Sequence, residues 1–94
     1  MIKIKGLKLR DIGGYVKYTS SGGDKIELGR IKSWNNHFIF VSYYARVDKS
    51  GECLTYNKDI EDRFKDYTGQ ATSPQDLVWI EARPDRKRLL EPCY

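Results

Sequence analysis

Hydrophobic and polar residues alternate along the first part of the chain, which predicts a fold built mainly from β-strands. Apolar residues and lysines alternate over 2–9 with a period of two, as they do in a half-buried strand. The glycine pair at 13–14 ends this pattern, and a strand is predicted at 15–18. The Ser, Gly and Asp residues of 20–24 indicate the loop that leads to the next strand.

The middle of the chain predicts a β-hairpin with a central strand. The segment 26–34 alternates loosely, and Gly29 within it indicates a bulge or bend. Residues 35–37, Asn-Asn-His, are typical of a tight hairpin turn. The following run, 38–44, carries aromatic or β-branched residues on both faces, which favours a central strand covered on both sides.

The period changes after a turn at 48–51 (Asp-Lys-Ser-Gly). Apolar residues then recur at spacings of four, four and three, which predicts one amphipathic helix over 56–67 that ends at Gly69. Oppositely charged side chains four residues apart support this helix. The apolar positions are Tyr56, Ile60, Phe64 and Tyr67, and the charged pairs are Asp59 with Arg63 and Glu61 with Lys65.

One domain is expected, because 94 residues supply a single core. Ser73 followed by Pro74 predicts a helical turn, with Ser73 as its cap, before a last strand at 77–80. We assign residues 1–83 to this domain and residues 84–94 to a basic C-terminal tail or short helix.

The order of these elements resembles that of small SH3-like barrels, in which a helical turn commonly precedes the last strand. Three segments, 14–18 (GYVKY), 29–41 (GRIKSWNNHFIFV) and 71–77 (ATSPQDL), are similar to small, mostly uncharacterised proteins of bacteriophages and prophages. The resemblance implies a β-rich α+β fold, a small antiparallel SH3-like barrel with one inserted helix. It carries no catalytic residues over to this chain.

Charge and cysteine content favour a cytoplasmic setting, that of the host cell if the protein is phage-encoded. The net charge is +4, and residues 1–32 hold eight Lys or Arg against three acidic residues. The lysines at 3, 5 and 8 interrupt the first apolar residues, which a secretory signal would not tolerate, and no run is long enough to span a membrane. We expect Cys53 and Cys93 to be free thiols; a disulfide between them is the alternative.

Catalytic and metal chemistry are not predicted, and we expect a protein that is not an enzyme and needs no cofactor. His37 is the single histidine, and it has no recognisable nucleophile or orienting partner. Two separate cysteines and one histidine do not form a zinc motif. The acidic residues of 59–66 alternate with basic ones, as on a solvated, salt-bridged helix face.

Aromatic and basic residues around the hairpin are the candidate binding residues. A small barrel cannot bury all of its rings, so Trp34 and Tyr44 are expected at the surface; burial in the core is the alternative for each. Basic residues interleaved with rings are used to bind single-stranded nucleic acid, although any soluble antiparallel sheet gives the same alternation. The full set is Tyr18, Trp34, Tyr44, Lys17, Lys25, Arg30 and Lys32, with Arg86, Lys87 and Arg88 in the tail.

Two functions follow as hypotheses. The first is a non-catalytic binding protein that docks on a host protein or nucleoprotein, for instance a counter-defence inhibitor of the anti-CRISPR kind, as the phage resemblance implies. The second is an accessory domain that binds DNA or RNA through the basic and aromatic face.

Overall fold

Short antiparallel strands and single helical turns make up residues 1–80, the part of the chain that the computed structural model describes. The strands are β1 (Tyr15–Thr19), β2 (Ile26–Trp34), β3 (Ile39–Val47), β4 (Cys53–Tyr56), β5 (Gln70–Thr72) and β6 (Leu77–Trp79). One α-helix, α1 (Lys58–Asp62), and four 3₁₀ turns, Ile4–Gly6, Leu9–Asp11, Phe64–Asp66 and Pro74–Asp76, complete this part of the chain. The prediction of a mainly β fold is confirmed.

The strands form one antiparallel sheet in the order β4-β3-β2-β1-β6. Strand β5 pairs with residues 39–41 of β3, and β4 pairs with residues 45–47 of the same strand. Because β2 pairs along the whole of β3, β4 and β5 share its opposite edge. Among the described residues β5 and β6 do not pair, so the sheet is not closed into a barrel.

The β2–β3 hairpin is the part of the fold that local sequence determines best. Asn35 closes it: its backbone N–H donates to the Phe38 carbonyl at 3.0 Å, and its Oδ1 accepts the backbone N–H groups of His37 and Phe38. The bulge predicted at Gly29 is confirmed by a register shift between Leu28 and Gly29. The predicted hairpin turn and central strand are therefore confirmed.

Two apolar cores lie on the two faces of this sheet. Successive side chains of a strand point to opposite faces, so β3 contributes to both. Ile39 and Val41 belong to the first core, and Tyr44 and Ala45 belong to the second. These two successive residues share a core because the alternation is interrupted there: Gly29 pairs with Tyr43 and Leu28 with Ala45, which leaves Tyr44 as the extra residue of a bulge. The first core is completed by Ile2, Val16, Ile31 and Leu77, and the second by Leu28, Val47 and Cys53.

The N-terminal segment is not a strand, contrary to the alternation of residues 2–9. It forms two 3₁₀ turns, and Ile2 donates its backbone N–H to the Pro74 carbonyl at 3.1 Å. Ile4 and Leu7, three residues apart, both pack against the first core, which fits the three-residue repeat of a 3₁₀ helix. The alternation of residues 2–9 therefore arises from two 3₁₀ turns that bury one side, and not from a strand.

The inserted helix is shorter than the predicted 56–67. Tyr56 is still part of β4, where it pairs with Ala45 of β3. Helix α1 begins after Asn57, whose Oδ1 accepts the Ile60 backbone N–H at 3.1 Å. Arg63 leaves the helical conformation (φ −117°, ψ 41°), so residues 64–66 form a separate 3₁₀ turn. The spacing of apolar residues indicated one buried side of this segment. It did not indicate that the helix begins only after Asn57 or that it is broken at Arg63.

Two further details of the predicted helix are wrong. Gly69 is not a left-handed cap, since its φ is not positive; a β-carbon there would lie 3.0 Å from Phe40 Cβ. The predicted pair of Asp59 and Arg63 is present at 3.6 Å. Glu61 does not pair with Lys65, because it is buried and its carboxylate accepts the Tyr56 hydroxyl.

The end of the described chain follows the sequence pattern. The 3₁₀ turn Pro74–Asp76 precedes β6 as predicted, although the Ser73 side chain makes no capping hydrogen bond. Cys53 is disulfide-bonded, so the expectation of a free thiol at this position is wrong. The predictions for the tail 84–94, for Arg86, Lys87 and Arg88 and for Cys93 lie outside the described residues. Within residues 1–80 no helix is long and apolar enough to cross a lipid bilayer.

Candidate binding surface

The expectation that Tyr44 is exposed is wrong. Only 3% of this residue is accessible, and its ring packs edge-on against Tyr15 and Tyr56 with both centroids at 6.0 Å. Ile60 of α1 packs on the same core, so the inserted segment covers this face of the sheet. Burial, and then the nearby Glu61 carboxylate, raise the pKa of the Tyr44 hydroxyl.

Trp34 and Tyr18 are half-buried rather than free surface rings. Both pack against the first core. The Tyr18 ring meets Tyr43 edge-on at 5.9 Å, and the Tyr43 hydroxyl shares a 2.7 Å hydrogen bond with Thr72 Oγ1. These rings close the open side of the first core, so only part of each is available to a partner.

Arg30 is held by contacts within the fold. Its guanidinium carbon lies 4.8 Å from the Tyr15 ring centroid and 4.3 Å from that of Phe64. Its Nε donates to the Gly13 carbonyl at 2.9 Å, and one terminal nitrogen donates to the Glu61 carbonyl at 2.7 Å. The side chain thereby connects β2 to the start of β1 and to α1.

The remaining predicted cations, Lys32, Lys25 and Lys17, have different local surroundings. Lys32 donates to the Tyr67 carbonyl at 2.5 Å, and Lys25 lies 3.5 Å from Glu27. Lys17 lines a small groove of about 130 Å³ with Asp48 and Gly51 at its rim. Since neighbouring residues of a strand point to opposite faces, Lys17 and Tyr18 do not share a face.

The N-terminal turns carry cations that the sequence did not single out as site residues. Lys3, Lys5, Lys8 and Arg10 are all exposed, and none of the four forms an ion pair with any residue in 1–80. The chain has 17 Lys and Arg against 13 Asp and Glu, and these four leave 13 against 13 elsewhere. The whole net charge of +4 therefore corresponds to the first ten residues.

An exposed tryptophan lies beside these cations. Trp79 is 46% accessible, and its ring rests on the backbone of Gly14, where a β-carbon would lie 2.6 Å from Cζ3. A groove of about 330 Å³ lies between this ring and the N-terminal turns; we call it the Trp79 groove. Its lining includes Met1, Lys3, Leu7, Arg10, Asp11 and Trp79.

The Trp79 groove is fixed by hydrogen bonds that the backbone of residues 8–14 makes. Asp11 Oδ2 accepts the Lys8 backbone N–H at 2.8 Å, and the Asp11 carbonyl accepts the Gly14 N–H at 2.9 Å. Gly13 donates to the Ile31 carbonyl at 2.7 Å, which joins the segment to β2. A surface ordered in this way loses little conformational entropy when a partner binds.

Sequence reasoning assigned Trp79 only to the last strand. Two signals pointed to this surface: the concentration of lysines at the start of the chain and the glycine pair at 13–14. Neither could be joined to Trp79 without the pairing of β1 with β6, in which Val16 stands opposite Trp79. A pairing between residues this distant in sequence leaves no local pattern.

Metal-ligating and catalytic side chains are the other candidates for a site within residues 1–80. No group of three or more His, Cys, Asp or Glu residues in that range is arranged to hold a metal ion. His37 is exposed at the tip of the β2–β3 hairpin, where its backbone N–H is bound by Asn35. The Trp79 groove and its cations are therefore the surface on which we base a function.

Comparison of the chain with protein-family models, with curated proteins and with solved structures finds no match. We therefore infer function from the contacts, exposure and charges of the described residues.

Proposed function

We propose that this chain is a non-catalytic binding protein that docks on a protein or nucleoprotein through the Trp79 groove and the N-terminal cations. The observation that carries the proposal is the half-exposed Trp79 ring, held on Gly14 in a groove that Lys3 and Arg10 also line. These are two of the four N-terminal cations that have no ion-pair partner in residues 1–80. Tryptophan and arginine are the residue types that most often dominate binding energy at interfaces.

An SH3-like architecture is the second part of the proposal. The strands β5-β3-β2-β1-β6 form a continuous order, and the 3₁₀ turn Pro74–Asp76 joins its two ends along the chain. This order, with a helical turn before the last strand, is similar to that of SH3-like barrels. Strand β4 and helix α1 then form an insertion between β3 and β5.

The resemblance to small phage proteins supports a host protein or nucleoprotein as the partner. A small binding protein whose free cations and exposed ring lie on one surface suits interference with a host complex, as in a counter-defence inhibitor of the anti-CRISPR kind. Electrostatic complementarity to an acidic surface would speed association as well as add affinity.

Nucleic-acid binding is the second candidate function, and the same surface favours it. Exposed cations can contact phosphates while an exposed ring stacks on a base. The cations of β2 do not support this candidate, because Arg30 and Lys32 are already bound to backbone carbonyls. If it holds, affinity for single-stranded DNA falls steeply as salt rises.

The test compares variants of the full chain as bait in a bacterial lysate. Charge reversal of Lys3 and Arg10 together should abolish recovery of a stoichiometric partner. The control reverses Lys49 and Lys65, two exposed cations outside the Trp79 groove, and should keep the partner. Failure to recover any stoichiometric partner, or a partner that binds both variants equally, would overturn the proposal.

A further inference from the structure

The Trp79 groove can be assigned to a class of partner, and this assignment rests on the proposed function. Lys3 and Arg10 line the groove, and Lys5 and Lys8 belong to the same N-terminal segment. None of these four cations forms an ion pair within residues 1–80, and the rest of the chain is balanced in charge. A complementary ligand must therefore bring negative charge to this end of the molecule. Both an acidic protein and a nucleic acid meet that condition, so the apolar part of the surface has to decide between them.

The apolar residues at this surface are mostly aliphatic. Met1, which is 72% exposed, and Leu7 line the groove together with Trp79. Leu9, in the second of the N-terminal 3₁₀ turns, is 82% exposed. Protein–nucleic acid interfaces are polar and use aromatic rings to stack on bases, whereas Met1 and Leu7 offer neither a charge nor a ring. Protein interfaces combine an apolar centre with a polar rim, and both aliphatic and aromatic side chains serve in that centre.

The size and the polarity of the groove also favour a protein partner. Its volume of about 330 Å³ is near the lower limit of ligand pockets, so it suits one large side chain. Asp11 also lines the groove, with one carboxylate oxygen bound to the Lys8 backbone. A carboxylate in the lining disfavours a phosphate chain that follows the groove, whereas an apolar side chain can enter beside it.

We infer that the Trp79 groove binds an acidic protein segment. One apolar side chain of that segment enters the groove against Trp79, Leu7 and Met1. Flanking Asp or Glu residues face Lys3, Lys5, Lys8 and Arg10. The apolar contact supplies the anchor, and the carboxylates set orientation and selectivity.

The experiment is a titration of the isotope-labelled full chain, followed by NMR. The probes are a short Glu/Asp-rich peptide with one central Leu, the same peptide with Ser at that position, the same peptide with its acids changed to Lys, and an oligothymidylate. The indole N–H signals of Trp34 and Trp79 are assigned with the Trp34→Phe and Trp79→Phe variants. Trp34 then serves as an internal reference away from the groove.

The Leu peptide is expected to shift the Trp79 indole signal and the amides of residues 3–11, and to bind at least about tenfold more tightly than the Ser or Lys peptides, which corresponds to about 1.4 kcal/mol. Lys3→Glu/Arg10→Glu should weaken the Leu peptide by a similar factor, and Lys49→Glu/Lys65→Glu should not. Retention of the native NMR spectrum by each variant shows that it is folded.

Each other outcome counts against the inference. Binding of oligothymidylate at the groove without binding of the Leu peptide overturns the acidic segment but leaves a nucleoprotein partner in place. Equal binding of the Leu and Ser peptides removes the apolar anchor. If no probe shifts residues 3–11 at about 1 mM, the inference fails at the affinity expected of even a weak contact. The proposed function fails separately, through the lysate experiment with the same charge variants.

Discussion

The cations of strand β2 and those of the N-terminal turns are the same residue types in opposite situations. Arg30 lies between two aromatic rings and donates to two carbonyls, whereas Arg10 is exposed and has no ion-pair partner in residues 1–80. Sequence neighbours do not distinguish them, because both follow strand-like alternation. Availability for binding depends on what packs against a cation, so the chain separates cations that hold the fold from cations that can meet a partner.

The largest expected effect that tests this separation is on stability at position 30. Arg30→Ala removes two hydrogen-bond donors and the contacts with Tyr15 and Phe64, so we expect the free energy of unfolding to fall by about 2–4 kcal/mol. Arg10→Ala should change it by less than about 0.5 kcal/mol. Urea denaturation followed by circular dichroism measures both.

Arg30→Lys is the matched control for charge. It keeps the cation but loses the planar group that donates in two directions while it lies between rings, so most of the loss should remain. If Arg30→Lys has wild-type stability, the charge alone matters. If Arg10→Ala destabilises as much as Arg30→Ala, the separation of the two groups is wrong.

A smaller effect is expected from filling space beside two glycines, one in each region. A β-carbon at Gly29 would overlap Val41 Cγ1 and lie 2.9 Å from the Ser42 carbonyl oxygen, whereas one at Gly6 meets nothing within 4 Å. Gly29→Ala should therefore lower the free energy of unfolding by about 1–3 kcal/mol. Gly6→Ala should be neutral or slightly stabilising, since it only restricts the unfolded chain. Thermal unfolding midpoints of the two variants, measured in parallel, test this difference. Equal midpoints would contradict the packing described for β2.

The elements that could be predicted from the sequence are those determined by residues close together in the chain. Asn35 closes the β2–β3 hairpin with hydrogen bonds to residues two and three positions away, and Pro74 begins the 3₁₀ turn before β6. The run at 38–44 predicted a strand covered on both faces because no polar face was left in it. These turns and this strand are specified by neighbouring residues, so no distant contact was needed to predict them.

The binding surface could not be predicted, because distant contacts decide it. Tyr44 is buried because Tyr56 of β4 and Ile60 of α1 pack on the same core. Trp79 is exposed because it lies on the backbone of Gly14 at the sheet edge. Glu61 looked like one more charge on a solvated helix but is buried against Tyr56. In each case the ring or charge is of the predicted type, and only its surroundings differ from expectation.

Lys17 of β1 and Lys32 of β2 provide a third comparison, in which we expect a smaller effect on stability. Lys32 donates to the Tyr67 carbonyl at 2.5 Å, so Lys32→Met, which keeps the length of the side chain, should cost about 0.5–1.5 kcal/mol. Lys17 makes no such bond within residues 1–80, and Lys17→Met should leave the unfolding midpoint in urea almost unchanged. Equal midpoints for the two variants would show that the Lys32 contact contributes nothing to stability.

The smallest expected effect concerns an acidic side chain that, like Arg30 and Lys32, forms hydrogen bonds with the backbone. Asp48 Oδ1 in the β3–β4 turn accepts the Ser50 hydroxyl and the backbone N–H groups of Ser50 and Glu52. These bonds, that of the Ser50 hydroxyl first, lower the pKa of Asp48 from its ordinary 3.8. A pKa that is lower in the folded state adds stability above the unfolded-state pKa, and this contribution is lost as the pH falls through the folded-state value.

Asp48→Asn should therefore be less stable than the wild type near neutral pH, and the difference should shrink as the pH is lowered from about 6 to about 3. Asp24→Asn is the control, because Asp24 is exposed and the one ion pair that it forms within residues 1–80, with Lys49, spans 3.9 Å. Its difference from the wild type should be smaller and should change less with pH. Urea midpoints measured across that pH range give both curves. A difference at Asp48 that does not change with pH would mean that the three bonds act without the carboxylate charge. The stability of the turn would then depend on hydrogen-bond geometry alone. In that case the charge of a side chain would contribute to stability only where the side chain is also packed, as at Arg30.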